Sequence, residues 1–182
     1  MKLKNLIAIG LVAAPVAVIA GPTLNGAGAT FPAPIYQRWF QDYATATGNR
    51  VNYQSVGSGS GVRQYIAGTV DFGATDEPIK ASEIAKVKRG VVQIPMVGGT
   101  IAVAYNKPGC TLKLTQKQTV DVFSGTIKDW KALGCAAGPI LVVHRSDGSG
   151  TTFAFTNSLD AFGGWKPGVG KSVKWPVGIG GK

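Results

Sequence analysis

The run Arg145-Ser146-Asp147-Gly148-Ser149-Gly150-Thr151 gathers a guanidinium, hydroxyls and small residues at what reads as the start of a helix. The first turn of a helix leaves backbone N–H groups without intrahelical acceptors, its aligned peptide dipoles place partial positive charge there, and hydroxyls and a guanidinium add donors. Such a cradle suits an oxyanion. Three other places offer comparable chemistry. Thr30-Phe31 stands just ahead of Pro32, with a hydroxyl and helix-start amides, and Ser58 sits in Gly57-Ser58-Gly59-Ser60-Gly61, where missing side chains allow close backbone approach. Asp76 sits just past the run Val70-Asp71-Phe72-Gly73-Ala74, which reads as a strand. Taken singly, each has a plainer role: Thr30 a helix cap, Ser58 a turn serine, Asp76 a cap or ion-pair partner, Arg145 a surface charge. Their coincidence points to a binding site.

Asp76 narrows the ligand. Arginine, hydroxyls and amides all donate to oxygen, whereas an ionised carboxylate only accepts. It would repel a fully deprotonated anion and accept a hydrogen bond from one that keeps a proton. Phosphate keeps one or two protons near neutral pH and sulfate none, so Asp76 is expected to admit the first and reject the second. Asp147, two residues from Arg145, is expected to pair with the guanidinium and fix its orientation, with an ordinary turn aspartate as the alternative.

The elements that must position these residues alternate between strand and helix. Thr23 to Gly28 reads as a strand. Pro32-Ala33-Pro34 then starts a helix with an apolar face of Ile35, Trp39, Phe40 and Tyr43, since proline is tolerated in a first helical turn. Val51 to Val56 alternates as a strand, and the Gly57 to Gly61 loop leads into a short helix closed by Gly68. Val70 to Ala74 is a further strand and Ser82 to Lys88 a helix. Val91 to Met96 and Thr100 to Tyr105 read as strands, and Thr115-Gln116-Lys117-Gln118 has capping-box form. Ile140 to Val143 predicts the strand that leads into Arg145, and Phe153, Phe155, Leu159 and Phe162 mark the helix after it. This rhythm predicts an α/β fold with substantially parallel sheet, in which ligands gather beyond the C-terminal strand ends.

The first residues predict export, with a permanent N-terminal anchor as the alternative. Lys2 and Lys4 precede an apolar run from Leu6 to Ala20, interrupted by Pro15 and followed by the polar turn Gly21-Pro22-Thr23; this is a secretory signal peptide with cleavage near Ala20. A periplasmic location follows. The rest carries 17 basic and 9 acidic residues, a formal charge of +8 that raises the local concentration of anions. Neither an arginine-rich stripe nor an aromatic motif for stacking bases is present, so nucleic acid is not an expected partner. Cys110 and Cys135 are expected to form a disulfide in an oxidising compartment, with two buried thiols as the alternative. His144 is the single histidine, and no spacing resembles a metal site.

Enzyme chemistry finds little support: no serine sits in a G-x-S-x-G elbow, and one histidine leaves little general-base capacity. Gly168-Val169-Gly170-Lys171-Ser172 superficially resembles a nucleotide P-loop. It fails because Trp165 stands where the first glycine is required, and the glycine-rich tail from Val177 to Lys182 cannot supply the following helix.

Five segments, Gly26-Ala-Gly-Ala-Thr-Phe-Pro-Ala-Pro34, Thr47-Gly-Asn-Arg-Val-Asn-Tyr-Gln-Ser55, Thr69-Val-Asp-Phe-Gly-Ala-Thr-Asp76, Arg145 to Thr151 and Val173-Lys-Trp-Pro-Val-Gly-Ile-Gly-Gly-Lys182, resemble in order the periplasmic phosphate-binding proteins of bacterial high-affinity phosphate ABC transporters, type II periplasmic binding proteins. The resemblance implies a two-lobed Venus-flytrap α/β architecture with Rossmann-like mixed sheets. Residues 1–20 would be the signal peptide, 21–95 the first part of lobe I and 96–182 an incomplete lobe II, hinged near Gln93-Ile94-Pro95. It also implies that Thr30, the Phe31 backbone N–H, Ser58, Arg145, Ser149, Gly150 and Thr151 donate to inorganic phosphate, that Asp76 accepts from it, and that Asp147 braces Arg145. A non-enzymatic monomer, without cofactor or metal, would deliver phosphate to a permease and ATPase complex. The alternatives are an extracellular phosphate scavenger of the same family and a phosphoester hydrolase using the same donors. Members of the family continue past the motif that here ends at Lys182, so the chain is expected to be a fragment or incomplete gene product whose C-terminal part is missing, binding phosphate weakly at best. His144 stands where a second arginine can occur.

Overall fold

Small residues at the end of one strand shape the first half of the molecule. In the computed structural model, which describes residues 21–181, β1 (Thr23–Gly28) pairs in parallel with β2 (Arg50–Ser55) on one side and β3 (Phe72–Ala74) on the other, giving the order β2-β1-β3. The expected signal peptide and its cleavage point lie outside the described residues. Helix α2 (Ser58–Ala67) lies against the end of β1 so closely that a Cβ on Gly61 would fall 2.4 Å from Gly28 Cα and 2.5 Å from the Ala27 carbonyl oxygen. Both are backbone atoms, so nothing can swing aside. Gly61→Ala is expected to cost about 1–3 kcal/mol through overpacking, seen as a lower urea midpoint with an unchanged m-value.

Helix α1 (Ala33–Thr47) follows Pro32, with Pro34 in its first turn, and ends at Gly48. Its packed stripe is a correction to the expected one. Ala33 and Tyr36 are buried and Phe40 half-buried, whereas Ile35, Trp39 and Tyr43 are exposed. The helix carries two apolar stripes, and the sheet selects one: Tyr36 meets Tyr53 edge-on at 5.2 Å and Phe40 meets Phe72 at 6.0 Å. Aromatic side chains on β2 and β3 therefore set the rotation of α1.

In the second half, α4 (Gln116–Phe123) begins at Thr115, whose hydroxyl accepts from Gln118 N at 3.2 Å while Gln118 Oε1 accepts from Thr115 N at 3.0 Å. This reciprocal box satisfies two orphan donors. Helix α5 (Gly150–Phe162) packs on α4 around Val120, Leu159 and Trp165, with Phe123, Phe155, Val173 and Trp175 against them. Strands β4 (Val143–Arg145) and β5 (Ile179–Gly181) form a second parallel sheet, and Cys110 pairs with Cys135 across a Cα separation of 5.4 Å. Among the described residues no helix is long and apolar enough to cross a membrane.

Several expected elements shorten or move. Val70 to Ala74 forms a strand only from Phe72, and Ser82 to Lys88 only the brief α3 (Ala81–Ile84), held by Glu83 Oε2 accepting from Lys80 N. The strand expected over Ile140 to Val143 shifts to Val143–Arg145, because its ladder partner β5 is three residues long and registers with those positions. Val91 to Met96 and Thr100 to Tyr105 are not strands; Val92 is 84% and Ile94 66% exposed. Alternating apolar residues make a strand only where a neighbouring strand takes their backbone groups, and among the described residues none does.

Candidate functional site

The two sheets meet through the loops at their strand ends. Thr30 and Phe31 follow β1, Ser58 opens α2 after β2, and Asp76 lies two residues past β3. From the second sheet, Arg145 ends β4, and Ser149, Gly150 and Thr151 start α5. The seam is tight: Gly59 N donates to the Gly148 carbonyl at 2.8 Å.

Asp76 is the hub. Ser58 Oγ donates to its Oδ1 at 3.2 Å and Thr151 Oγ1 to its Oδ2 at 3.2 Å, so each carboxylate oxygen takes a hydroxyl from a different half. Burial pushes the Asp76 carboxyl above the usual carboxylate range, while the Ser58 and Thr151 hydrogen bonds and the Arg145 charge pull it back. The fold thus disfavours the ionised form. Gly150 lies under this carboxylate, where a Cβ would fall 2.5 Å from Asp76 Cγ and 2.6 Å from Ser58 Oγ.

Arg145 is held in a fork. Its Nε donates to Asp147 Oδ1 at 2.6 Å and its Nη2 to Oδ2 at 2.5 Å, while Nη1 reaches Thr30 Oγ1 at 3.3 Å. The bidentate pair fixes the guanidinium plane, as planar Arg–carboxylate geometry does generally. Ser149 caps α5: its hydroxyl accepts from Thr152 N at 3.2 Å, and its own N–H donates to the Lys171 carbonyl at 2.9 Å. The hydroxyl proton is what Ser149 has left to give. The next amides, of Gly150 and Thr151, belong to a first helical turn and point away from intrahelical acceptors.

The structure thus brings together Thr30, Ser58, Asp76, Arg145, Asp147, Gly150 and Thr151, with Phe31 and Ser149 beside them in the chain, whereas Cys110 and Cys135 form the disulfide. Phe31, Asp76 and Thr151 also line a cleft of about 920 Å³, together with Ile94, Pro95 and Gly98. Such donors around one acceptor can replace the water of a small oxyanion that retains a proton. Among the described residues no group of His, Cys, Asp and Glu could hold a metal ion. Sequence reasoning missed Glu77 and Lys171, which form an ion pair behind the site; the only signal near Lys171 was the P-loop-like spacing set aside above.

A model of the PBP superfamily domain matches residues 17–179. The chain is 49% identical over 176 residues to a phosphate-binding protein, PstS, of Pasteurella multocida, a match that covers 88% of this chain and 50% of that protein. It is equally 49% identical to the PstS of Haemophilus influenzae, covering 88% of this chain and 52% of that one. The chain therefore spans about half the length of the curated relatives it matches. Among solved structures, an ABC-type phosphate transport receptor from Vibrio cholerae superposes with a TM-score of 0.54 at 22% identity, over 86% of this chain and 60% of that one, a likeness of fold.

Proposed function

The chain belongs to the PBP superfamily, and from that premise we propose that it is the ligand-bearing part of a non-enzymatic phosphate-binding protein. Inorganic phosphate is captured between two lobes, 21–95 and 96–182, in the periplasm, and a monomer hands it to an ABC permease and its ATPase. Arg145, the hydroxyls of Thr30 and Ser149, and the amides of Phe31, Gly150 and Thr151 donate to it, and the Ser58 and Thr151 hydroxyls turn from Asp76 to the anion as the anion's own proton takes their place on the carboxylate. Asp147 braces Arg145.

The observation that carries this reading is the placement of Asp76. It is an acceptor set between two hydroxyls, one from each half of the site, which favours an anion that brings its own proton. The names of the relatives point the same way. A hydrolase would find no free imidazole there, since the chain's single histidine, His144, stacks on Trp175 at 4.9 Å with Nδ1 3.0 Å from the Arg145 carbonyl oxygen.

Isothermal titration with phosphate and sulfate, on the full protein as its gene encodes it, tests the reading. The wild type is expected to bind phosphate and ignore sulfate. Asp76→Asn is expected to lose about ten- to hundred-fold in phosphate affinity, the worth of one hydrogen bond to a charged group, and to narrow the gap to sulfate. Equal binding of both anions by the wild type, or selectivity unchanged in the variant, would sink it. Stability moves the other way. Because the Asp76 carboxyl is raised, the folded state binds its proton more tightly than the unfolded chain, so ligand-free stability falls as pH climbs from the ordinary carboxylate range through the folded value. At neutral pH, Asp76→Asn removes that cost, and the ligand-free Tm should rise.

A further inference from the structure

Behind the site, two oppositely charged side chains bridge the same seam. Glu77 directly follows Asp76 and is 2% exposed. Its Oε2 accepts no well-directed hydrogen bond, and its counter-charge is the Lys171 ammonium at 2.9 Å. Lys171 also lies 3.4 Å from Glu83 Oε1, and Lys80 adds a weaker, exposed contact to Glu77 at 3.5 Å.

Each end of the pair is anchored to its own half of the site. On one side, the Glu77 backbone is tied to Thr75 Oγ1, and Gln93 bridges the Glu77 carbonyl at 3.2 Å and the Ile79 N–H at 3.0 Å. On the other, the Lys171 carbonyl takes the N–H of Ser149, Gly170 N donates to the buried Thr156 Oγ1 of α5 at 3.2 Å, and Trp165 Nε1 holds the Gly168 carbonyl at 2.9 Å. Movement of the Lys171 ammonium away from Glu77 would therefore carry the start of α5 away from Asp76. A buried carboxylate deprived of its partner is strongly unfavourable, which makes separation costly.

We propose that Lys171 is a positioning residue: its ion pair with Glu77, with Glu83 as a second arm, latches the two halves of the anion site at their binding separation without touching the ligand. The P-loop-like loop that carries it serves as a strap beneath α5. The latch rests on the phosphate reading only for its effect on affinity; its effect on the distance between the halves stands without any ligand.

The test uses the full protein as its gene encodes it, with spin labels at exposed Gln41 on α1 and Asn157 on α5, and phosphate titrations run in parallel. Without phosphate, Lys171→Met is expected to lengthen and broaden the label distance, and with phosphate to weaken affinity about ten-fold, within the usual range of coupling between sites. Lys171→Arg should restore both, and Glu83→Gln should give a smaller change of the same sign. If Lys171→Met does not fold, Glu83→Gln decides, because Glu83 keeps some solvent contact and can lose its charge cheaply. A distance unchanged in the folded Lys171→Met, or in Glu83→Gln where that variant decides, overturns the latch, as does lost affinity with an unmoved distance. A wild type that ignores phosphate would count against the phosphate reading, while the ligand-free distances would still decide the latch.

Discussion

Arg145→Met is expected to weaken phosphate binding about a thousand-fold while leaving the chain folded. Hydrogen bonds between charged groups contribute about 1.5–3 kcal/mol each, and a guanidinium fixed beside the ligand supplies at least two. The fork matters as much as the charge. With Nε and Nη2 committed to Asp147 and Nη1 directed at Thr30, the free edge of the guanidinium is already oriented before any ligand arrives. Methionine would remove the donors and leave the Asp147 carboxylate facing the anion without that counter-charge, so repulsion adds to the lost attraction. Arg145→Lys should recover only a part, since one ammonium cannot grip both Asp147 oxygens and the ligand together. Calorimetry that finds Arg145→Met within threefold of the wild type would remove Arg145 from the site.

Where local chemistry decides structure, the sequence is a good guide. The capping box at Thr115 and the helix start at Gly150 each rest on residues a few positions apart, and each appears where the sequence places it. Where structure depends on distant partners, the guide weakens. The stripe of α1 that packs is chosen by Tyr53 and Phe72, which no helical periodicity encodes. The segment from Val91 to Tyr105 has strand composition, yet a strand exists only through its neighbour. The glycine-rich tail gave no strand signal, and its pairing through Ile179 sets where β4 begins.

The candidate site was legible for a related reason. Parallel sheets deliver their loops to one end, so polar residues that each follow a strand converge even when far apart in sequence. Thr30 and Arg145 are 115 residues apart and meet at 3.3 Å. What sequence could not supply is the detail across the seam. Ser58 and Thr151 both aim at Asp76, and the charges behind them pair as Glu77 with Lys171; such pairings depend on how two separately built sheets are docked.

Gly150→Ala places that docking under the sharpest test. On α5 alone the change should help, though by less than the ~1 kcal/mol by which alanine is preferred over glycine in a helix interior, because Gly150 is the first residue of the helix. The backbone at Gly150 is helical, so no conformational strain opposes it. Across the seam it is costly: the new methyl would sit 2.5 Å from Asp76 Cγ, 2.6 Å from Asp76 Cβ and 2.6 Å from Ser58 Oγ. Relief requires either Asp76 to swing off, losing its bonds to Ser58 and Thr151, or the start of α5 to retreat from the first sheet. Both routes separate the acceptor from the donors it is grouped with. Overpacking of about 1–3 kcal/mol is thereby partly offset by helix preference and partly relieved by the opening. The folding midpoint should consequently move little, whereas phosphate affinity should fall at least about a hundred-fold, the loss of one to two charge-assisted hydrogen bonds. Urea unfolding and calorimetry on the same preparation separate the two effects. Affinity kept within threefold would mean that the contact between Gly150 and Asp76 is not required when the anion is bound.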